Sequence, residues 1–526
     1  MNPRLAALAL AAALAACAAD DGADAAGAED RGGCVIDADC ADTDVCFDGR
    51  CIFQGAPGAE PPPEDPGAPE VEIPLAPYSH PAAGRRHVWV TSPATDTVAR
   101  IDAETLAIGL VELGDDPIAI EAVPDTDTVI VLARGSDELY RVTHRDGADR
   151  VDLWKLTHHH NALALSPDGR HALAWFDLAR AEPGEDASAL QHVSVLDLTT
   201  GDLTGAAVGY RPRRIQFAAG RALVVTEDGV SLLDLAALDG GPAPLVPVQT
   251  GLTGGPDREI ALTTDGEWAI SRDPTEPGVT ITRLAEGIPR FIPLGAAPTD
   301  LDLLPGDREA LVMLRSAARL AIVPFADPAA TRLIDVPGAR LGAAAVGEDG
   351  RRALLYTTTD PAEEGTLAAL LDPASGAIVY LPLRKAARGA AVDPRGRVAV
   401  VLHEAAPDAD DPIARAAGYS LVDLDTAYAK LETTPAPPAG LVFHDDLALL
   451  ALAADGVSAL QRIDLRAFNV RTRTLPSPPE IIGLLPAIDR AFVTQTHPTG
   501  RISFLDLDAQ GALATVTGFA LNGRIE

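Results

Sequence analysis

Two short sequence patterns alternate along the chain from His87 onward, and they limit its possible folds more than any other feature. The first is a polar turn followed by an apolar run, as in SPDGRHALAWF from Ser166, TTDGEWAI from Thr263, GEDGRRALLY from Gly347 and DPRGRVAVVL from Asp393. Asp-Gly and Pro-Asp pairs favour tight turns with positive φ. Each copy therefore predicts a β-hairpin.

The second pattern is a β run that ends in Asp, as in VSVLDLTTG and YSLVDLDT. Its seven copies end at Asp102, Asp197, Asp234, Asp372, Asp423, Asp464 and Asp506. An Asp at a strand end accepts hydrogen bonds from the backbone N–H groups of the following turn. Because the Asp recurs in unit after unit, we predict a structural role for all seven rather than a metal or catalytic role.

Together the patterns predict short antiparallel strands that repeat about every 40–50 residues, with no helical periodicity. This is typical of an all-β chain folded as a β-propeller of four-stranded blades. Inner strands are expected to begin near Pro117, Asn161, Pro212, Asp257, Pro298, Arg340, Arg388, Pro438 and Pro479. With the first unit this makes ten repeats. We predict one large ring rather than two rings or a ring with two irregular units.

Ring closure is expected to involve the C-terminus. The first unit, HVWVTSPATDTVARIDAETLAI, has no evident inner strand before it, and the C-terminal GFALNGRIE could supply one. A strand shared between the two ends would leave no open sheet edge.

The repeats resemble the YVTN family of propeller repeats, in which an x-P-x-x-apolar inner strand precedes P-D-G, an apolar strand and I-D-x-x-T-G. The resemblance covers residues 87–526 and implies a propeller more than any one function. It also extends to propeller lactonases and haem-dependent reductases, but their functional residues cannot be placed on this sequence.

A short export signal precedes the repeats. Arg4 is followed by twelve Leu and Ala residues, too few to span a bilayer, and this predicts a signal peptide over residues 1–16. Leu14-Ala15-Ala16-Cys17 resembles the lipobox of bacterial lipoproteins, which implies cleavage before Cys17 and acyl chains on it. The other reading is an ordinary signal peptide with a chance cysteine. By the same resemblance, Ala18 after the anchor favours the outer membrane.

Four more cysteines follow closely. Residues 17–33 read as an acidic flexible tether, and residues 34–53 hold Cys34, Cys40, Cys46 and Cys51. Export makes disulfides the default, and three connectivities remain open. The stretch resembles the short cysteine-rich modules of exported myxobacterial proteins. The proline-rich residues 54–86 predict an extended linker to the propeller of residues 87–526.

The cysteine module contains residue types that bind zinc or calcium in other proteins. Zinc is disfavoured because no C-x2-C pair is present. A calcium loop is suggested by Asp37, Asp39, Asp42 and Asp44, but it lacks the Gly and Glu that such loops carry.

Propeller connectivity also predicts which residues surround the channel mouth. Loops that lead into inner strands share a face with loops between second and third strands. The residues expected there are Asp115, Asp116, His158, His159, His160, Arg211, Arg213, Arg214, Asp257, Arg258, Asp300, Arg340, Arg388 and Glu480. The longest loops on this face are 177–191 and 403–417, and functional residues concentrate on such loops.

The three consecutive histidines are the sharpest cluster on this face. On a strand they cannot all point one way, but a loop can bring two of them together. A metal site would need a third ligand, such as Asp115 or Asp116. The alternatives are a solvated polar loop, which we favour, and ligand binding through hydrogen bonds. We therefore assign no metal and no cofactor.

Enzyme motifs are mostly missing from the sequence. There is no G-x-S-x-G elbow and no P-loop, and His403-Glu404 lacks the second His of a zincin. No Cys follows Cys51, which excludes cysteine catalysis in the ring and C-x-x-C-H haem attachment. We assign no catalytic residue.

Composition narrows the possible partners. The 526 residues carry 42 Lys and Arg against 76 Asp and Glu, a net charge of −34, which argues against nucleic acid and against lipid docking through a basic face. The sequence favours an envelope lipoprotein anchored through Cys17, facing the periplasm or the surface. Its propeller would bind an unidentified protein or small molecule at the rim. The alternative is an exported metal-dependent hydrolase or lactonase with its site at the channel mouth.

Overall fold

The computed structural model describes residues 81–185, 187, 189–238, 240–249, 259–337, 341–357, 366–508 and 511–521, and the backbone alone of 44–47 and 50–53. The chain divides into two compact units, Ala11–Ile73 and the remainder. In the smaller unit, β1 (Asp44–Phe47) and β2 (Arg50–Phe53) form a hairpin whose register pairs Cys46 with Cys51. Cys17, Cys34 and Cys40 lie outside the described residues.

In the larger unit, forty described strands form ten antiparallel four-stranded sheets, each built in chain order. We call these sheets blades 1 to 10. Blade 1 holds β3 (Ala82–Ala83), β4 (His87–Ser92), β5 (Thr97–Asp102) and β6 (Ile108–Glu112). Blade 2 holds β7 (Pro117–Ala122), β8 (Thr128–Ala133), β9 (Glu138–Arg145) and β10 (Ala148–Lys155). Blade 3 holds β11 (Ala162–Leu165), β12 (His171–Trp175), β13 (His192–Asp197) and β14 (Leu203–Ala207).

Blades 4 to 7 follow the same plan. Blade 4 holds β15 (Arg214–Ala218), β16 (Arg221–Val225), β17 (Val230–Asp234) and β18 (Leu245–Val246). Blade 5 holds β19 (Glu259–Leu262), β20 (Trp268–Arg272), β21 (Gly278–Arg283) and β22 (Ile288–Pro293). Blade 6 holds β23 (Asp300–Leu303), β24 (Glu309–Leu314), β25 (Arg319–Pro324) and β26 (Arg332–Asp335). Blade 7 holds β27 (Ala343–Val346), β28 (Ala353–Tyr356), β29 (Leu367–Leu371) and β30 (Ile378–Pro382).

Blades 8 to 10 complete the ring. Blade 8 holds β31 (Ala387–Val392), β32 (Val398–His403), β33 (Ala417–Asp423) and β34 (Tyr428–Thr434). Blade 9 holds β35 (Pro438–His444), β36 (Leu447–Ala454), β37 (Val457–Asp464) and β38 (Asn469–Thr474). Blade 10 holds β39 (Pro479–Leu485), β40 (Arg490–Gln495), β41 (Arg501–Asp506) and β42 (Leu513–Thr517). The later inner strands begin within three residues of the predicted positions.

Helical structure in the described residues is confined to single turns. The one α-helical turn is α1 (Pro412–Arg415). Short 3-10 turns cover Pro93–Thr95, Leu178–Arg180, Arg315–Ala317, Pro328–Ala330, Pro486–Ile488 and Phe519–Leu521. Of the helices described, none has the length and apolarity that crossing a membrane requires.

The blades form one closed ring. Among the described residues, ten buried apolar clusters each join two successive blades, including blade 10 to blade 1. On β8, Val129 and Val131 pack toward blade 1, whereas Ile130 and Leu132 pack toward blade 3. Strands buried on both faces read as continuous apolar runs, which explains the repeated pattern in the sequence. The ten-bladed propeller predicted from that pattern is confirmed.

The expected closure by the C-terminus is wrong. Ala82–Ala83 forms the inner strand of blade 1 by pairing with β4. Phe519–Leu521 forms a 3-10 turn that contacts β5 and β6 instead. Blades 1 and 10 pack side by side through a cluster that includes Val88, Phe504 and Phe519. The expectation failed because Ala is depleted in strands, so two alanines give little β signal.

The predicted turns are confirmed. Gly169, Gly266, Gly350 and Gly396 have φ of 70°, 68°, 64° and 67°, as the four strongest repeats require. The strand-end Asp residues are also structural, because six of the seven accept hydrogen bonds from backbone N–H groups of their own turns. The seventh, Asp506, pairs instead with Arg490 at 2.6 Å.

Candidate functional site

The loops that lead into the inner strands and the loops between second and third strands share one face, which we call the rim. In blade 2, Arg134 N donates to Asp116 O at 2.9 Å, and Gly135 N donates to Asp115 O at 3.0 Å. Asp116 N also donates to Asp96 Oδ1 of blade 1 at 2.9 Å. The residues before β7 therefore lie against those after β8 and beside the preceding blade.

Arg134 is the centre of an ion-pair network on the rim of blades 2 and 3. Its Nε lies 2.6 Å from Asp116 Oδ2, and its Nη2 lies 2.8 Å from Glu182 Oε1. Its Nη1 is 3.8 Å from Glu185 Oε2. Burial disfavours the charged guanidinium, but the hydrogen bonds to Glu182 and Asp116 outweigh it and raise the pKa of Arg134. The network ties the 177–191 loop of blade 3 to blade 2.

His159 joins the same network from the loop before β11. Its Nδ1 lies 2.8 Å from Asp137 Oδ1, and its Nε2 lies 3.0 Å from Glu185 Oε1. Burial lowers the pKa of the ring, but the hydrogen bonds to Asp137 and Glu185 exceed that effect, so the pKa of His159 is raised. The protonated ring can donate to both carboxylates at once.

His158 and His160 lie apart from His159 and share a partner, His192, the first residue of β13. The ring of His192 is 4.1 Å from that of His158 and 5.6 Å from that of His160, centroid to centroid. His160 is fully buried, and its Nε2 lies 2.9 Å from Ser194 Oγ. Burial, followed by repulsion from His192, lowers the pKa of His160 to about 3. Burial, followed by repulsion from His158, lowers the pKa of His192 to about 4.

Arginines continue the rim across blades 3 and 4. Arg213 Nη2 lies 2.9 Å and Arg211 Nη1 3.3 Å from Glu227 Oε1. Burial acts to raise the pKa of Glu227, but hydrogen bonds from the two arginines lower it overall. Arg180 Nε lies 3.4 Å from Asp177 Oδ2 within the 177–191 loop.

A buried lysine holds the second long loop. Lys385 is 5% exposed. Its Nζ donates to the carbonyl oxygens of Ile413, Ala414 and Ala416 at 2.9, 2.7 and 2.7 Å. Burial lowers its pKa. One ammonium group therefore donates to three carbonyl groups at the end of α1, and it holds the 403–417 loop against the residues that precede β31.

The inner strands bring further charged groups to the channel. Asp300 and Asp302 both lie on β23, and burial, followed by repulsion from Asp300, raises the pKa of Asp302 to about 8. Arg214 on β15 donates from Nη2 to Ile260 O at 2.8 Å. Arg388 and Glu480 each stand where a β-bulge interrupts the inner-strand register, in blades 8 and 10. A β-bulge changes the direction in which a side chain points. Arg388 and Glu480 are both exposed.

The structure brings together some of the residues predicted from the sequence and separates others. Asp116 and His159 belong to the ion-pair network around Arg134. His158 and His160 both lie beside the imidazole of His192. Arg211 and Arg213 both form ion pairs with Glu227. Asp116 does not approach His158 or His160 as a third ligand, because Arg134 holds it. Arg388 forms an ion pair with Glu404 at 3.5 Å, but it lies in blade 8 and not in blades 2 to 4. Asp257, Arg258 and Arg340 lie outside the described residues.

Sequence reasoning missed Arg134, Asp137, Glu182, Glu185, His192, Glu227 and Lys385. Most of them follow a second strand or begin a third one, on loops that share the face of the predicted residues. Connectivity places those loops on the rim, and that signal could have identified them. In the described part of the chain, no three His, Cys, Asp or Glu side chains already converge as metal ligands.

The fold and rim define the class of protein as a ten-bladed β-propeller. No family model and no curated protein matches the sequence. Among solved structures, the chain is similar to the dihydro-heme d1 dehydrogenase NirN in complex with DHE, at 12% identity and a TM-score of 0.42, covering 76% of each chain. It is also similar to apo AztD from Citrobacter koseri, at 15% identity and a TM-score of 0.37, covering 66% of this chain and 94% of that one. A eukaryotic initiation factor matches at 13% identity and a TM-score of 0.48, covering 80% and 93%.

Proposed function

We propose that this protein is an exported, lipid-anchored binding protein that holds its ligand on the rim of blades 2 to 4. The observation that carries the proposal is the concentration of interconnected charged and imidazole groups there, around Arg134 and His159. On the opposite face, the repeated Asp residues are used within their own turns. The rim therefore offers polar groups presented on loops held by a rigid scaffold, where binding residues concentrate.

We expect the ligand to be a polar molecule or a protein surface that carries both positive and negative charges. Arg180 and Glu182 have side chains 59% and 66% exposed, and that of Arg213 is 40% exposed. These three groups present both signs of charge within one stretch of rim. A partner with complementary charges would gain orientation and association rate from them.

The binding experiment compares two triple variants of equal charge change. Arg180→Ala, Glu182→Ala and Arg213→Ala together alter the rim. Arg145→Ala, Asp146→Ala and Arg150→Ala together alter the exposed β9–β10 hairpin instead. Each set removes two positive charges and one negative charge.

Envelope extract is passed over the immobilised full chain and both variants, and retained molecules are identified by mass spectrometry. We expect a molecule that the wild type and the hairpin variant retain and the rim variant loses. Equal retention by both variants would contradict binding at this rim.

The anchor is tested separately. Mass spectrometry of the protein from membranes should find Cys17 as the acylated N-terminal residue. Cys17→Ala should release the protein from the membrane fraction because the acyl chains supply its membrane affinity. An intact precursor with an unmodified Cys17 would contradict the anchor and leave the rim proposal to its own test.

A further inference from the structure

His159 stands between two carboxylates that belong to different parts of the chain. Its Nδ1 lies 2.8 Å from Asp137 Oδ1, on the turn between β8 and β9 of blade 2. Its Nε2 lies 3.0 Å from Glu185 Oε1, on the 177–191 loop of blade 3. A neutral imidazole has one N–H and one lone pair, so it can donate to only one of these carboxylates. The geometry therefore fits the imidazolium, which donates to both.

The two carboxylates are held by their own neighbours. On the blade 2 side, Asp137 N donates to Arg134 O at 3.2 Å, and Leu156 N donates to Asp137 O at 2.8 Å. On the loop side, Glu182 N donates to Glu185 Oε2 at 2.7 Å, and Glu185 N donates to Glu182 O at 3.1 Å. The side chain of Glu185 is 7% exposed. The position of Glu185 therefore sets the position of the 182–185 turn.

Glu185 has two cationic neighbours, and only one of them can lose its charge near neutral pH. Arg134 Nη1 lies 3.8 Å from Glu185 Oε2, and a guanidinium stays protonated in proteins. Histidine is the side chain whose charge normally changes between about pH 5 and pH 8. Burial lowers the pKa of His159, but the hydrogen bonds to Asp137 and Glu185 exceed that effect and raise the pKa overall. The ring therefore keeps its proton to a higher pH than an exposed histidine.

The charges around the ring also favour its proton. Among the described residues, the titratable and charged groups that contact His159, its partners or its chain neighbours are Asp116, Asp137, Glu182, Glu185, Arg134, His158 and His160. Burial lowers the pKa of His160 to about 3, so that ring is uncharged at neutral pH. The four carboxylates share Arg134 and the imidazolium when His159 is protonated, and Arg134 alone when it is neutral. Loss of the proton therefore leaves their mutual repulsion less compensated.

We propose that His159 is a pH-sensitive latch for the 177–191 loop. Its protonated ring joins Glu185 of the loop to Asp137 of blade 2, and the loop loosens when the ring becomes neutral. Because the docked loop raises the pKa of His159, docking is strongest below about pH 6.5 and weakens as the pH rises through the folded-state pKa.

The latch would regulate the rim, a consequence that rests on the proposed function. The loop carries Arg180 and Glu182, two of the exposed groups assigned to ligand binding. Loosening of the loop should therefore weaken retention of the ligand at the rim. The latch itself is measured without ligand, so that its failure and the failure of the proposed function are distinguishable.

The test is hydrogen exchange of the full chain at about pH 6.5 and about pH 8.5, on either side of the expected transition. Each rate is divided by the intrinsic exchange rate at that pH, which gives a protection factor. In the wild type, protection of residues 177–185 should fall several-fold between the two pH values. Because one proton is involved, the fall cannot exceed about tenfold per pH unit. Strand β8 is the internal reference and should keep its protection.

His159→Gln separates the latch from a purely structural role. The Gln amide can still donate to one carboxylate, but it does not titrate, so protection of 177–185 should be low at both pH values. Glu185→Gln should also remove most of the pH dependence, since a neutral amide does not favour the imidazolium. His171→Gln, at the opposite end of blade 3, is the matched control and should keep the pH dependence of the wild type.

Equal protection of 177–185 at both pH values in the wild type would overturn the latch. A pH dependence that His159→Gln retains would also overturn it, because another group would then be titrating. If the loop responds as expected but the rim variant of Arg180, Glu182 and Arg213 retains every molecule that the wild type retains, the latch stands and the proposed function fails.

Discussion

Phe519→Ala should destabilise the whole ring, because Phe519 fills the junction where blade 10 meets blade 1. The side chain is 1% exposed and packs in a cluster with Val88 and Ile101 of blade 1 and Phe504 of blade 10. Burying about 150 Å² of ring at about 25 cal/mol per Å² contributes about 4 kcal/mol. Large-to-small Phe substitutions in cores cost about 3–5 kcal/mol, which agrees with this figure.

The assay is urea unfolding of the full chain, followed by tryptophan fluorescence. Trp89 in blade 1 is fully buried on the face of β4 that packs against blade 2, and it therefore reports on the unfolding of blade 1. Because a chain of ten blades need not unfold in one step, the first transition midpoint is compared rather than a single free energy. Phe519→Ala should shift that midpoint by an amount equivalent to about 3–5 kcal/mol.

Ile288→Ala is the matched control, since Ile288 is 70% exposed on β22 of blade 5. Surface substitutions of this kind usually stay within about 0.5 kcal/mol. If Phe519→Ala behaved like Ile288→Ala while both proteins kept the β-sheet circular dichroism of the wild type, the reasoning about the junction would be refuted.

Three further outcomes follow from the rim and its loops. Lys385→Met should remove three hydrogen bonds to the carbonyl oxygens of Ile413, Ala414 and Ala416, of which only that of Ala414 also accepts from a backbone N–H of the same loop, that of Ala406. The loss should cost about 2 kcal/mol, seen as a lower melting temperature and faster proteolysis within 404–416; unchanged proteolysis would contradict the role of the lysine. Burial lowers the pKa of His403 to about 4 in the folded chain, whereas the unfolded chain binds this proton below about pH 6.5. The free energy of unfolding should therefore decrease as the pH is lowered, by about 2 kcal/mol at pH 5. His403→Gln should reduce this loss when urea unfolding at pH 5 is compared with that at pH 7. Arg134→Ala should increase hydrogen exchange in 177–185 several-fold at pH 7, whereas Arg145→Ala should not.

The repeats could be predicted from sequence because their signals are local. A turn residue such as Gly169, with φ of 70°, and a strand-end residue such as Asp102 both act within a few residues of their own position. Strands buried on both faces add continuous apolar runs. The inner strand of blade 1 was missed because Ala82 and Ala83 owe their pairing to β4 rather than to their own β preference.

The candidate site was only partly predictable, because its residues meet through packing between blades. Connectivity alone placed His158, His159 and His160 on the rim. It could not show that His192 would stand beside His158, or that Arg134 would take Asp116 away from the histidines. Those pairings depend on side-chain directions and on the path of the 177–191 loop, and neither is encoded by a repeat pattern.

The position of every rim residue follows from one closed ring of ten blades. Single-particle electron microscopy of the full chain, viewed along the channel, measures this most directly. The account predicts ten radial sheets around one channel, with blades 1 and 10 side by side and no strand shared between them. Two smaller rings, a ring of fewer blades, or a C-terminal strand paired with β4 in place of Ala82–Ala83 would contradict it.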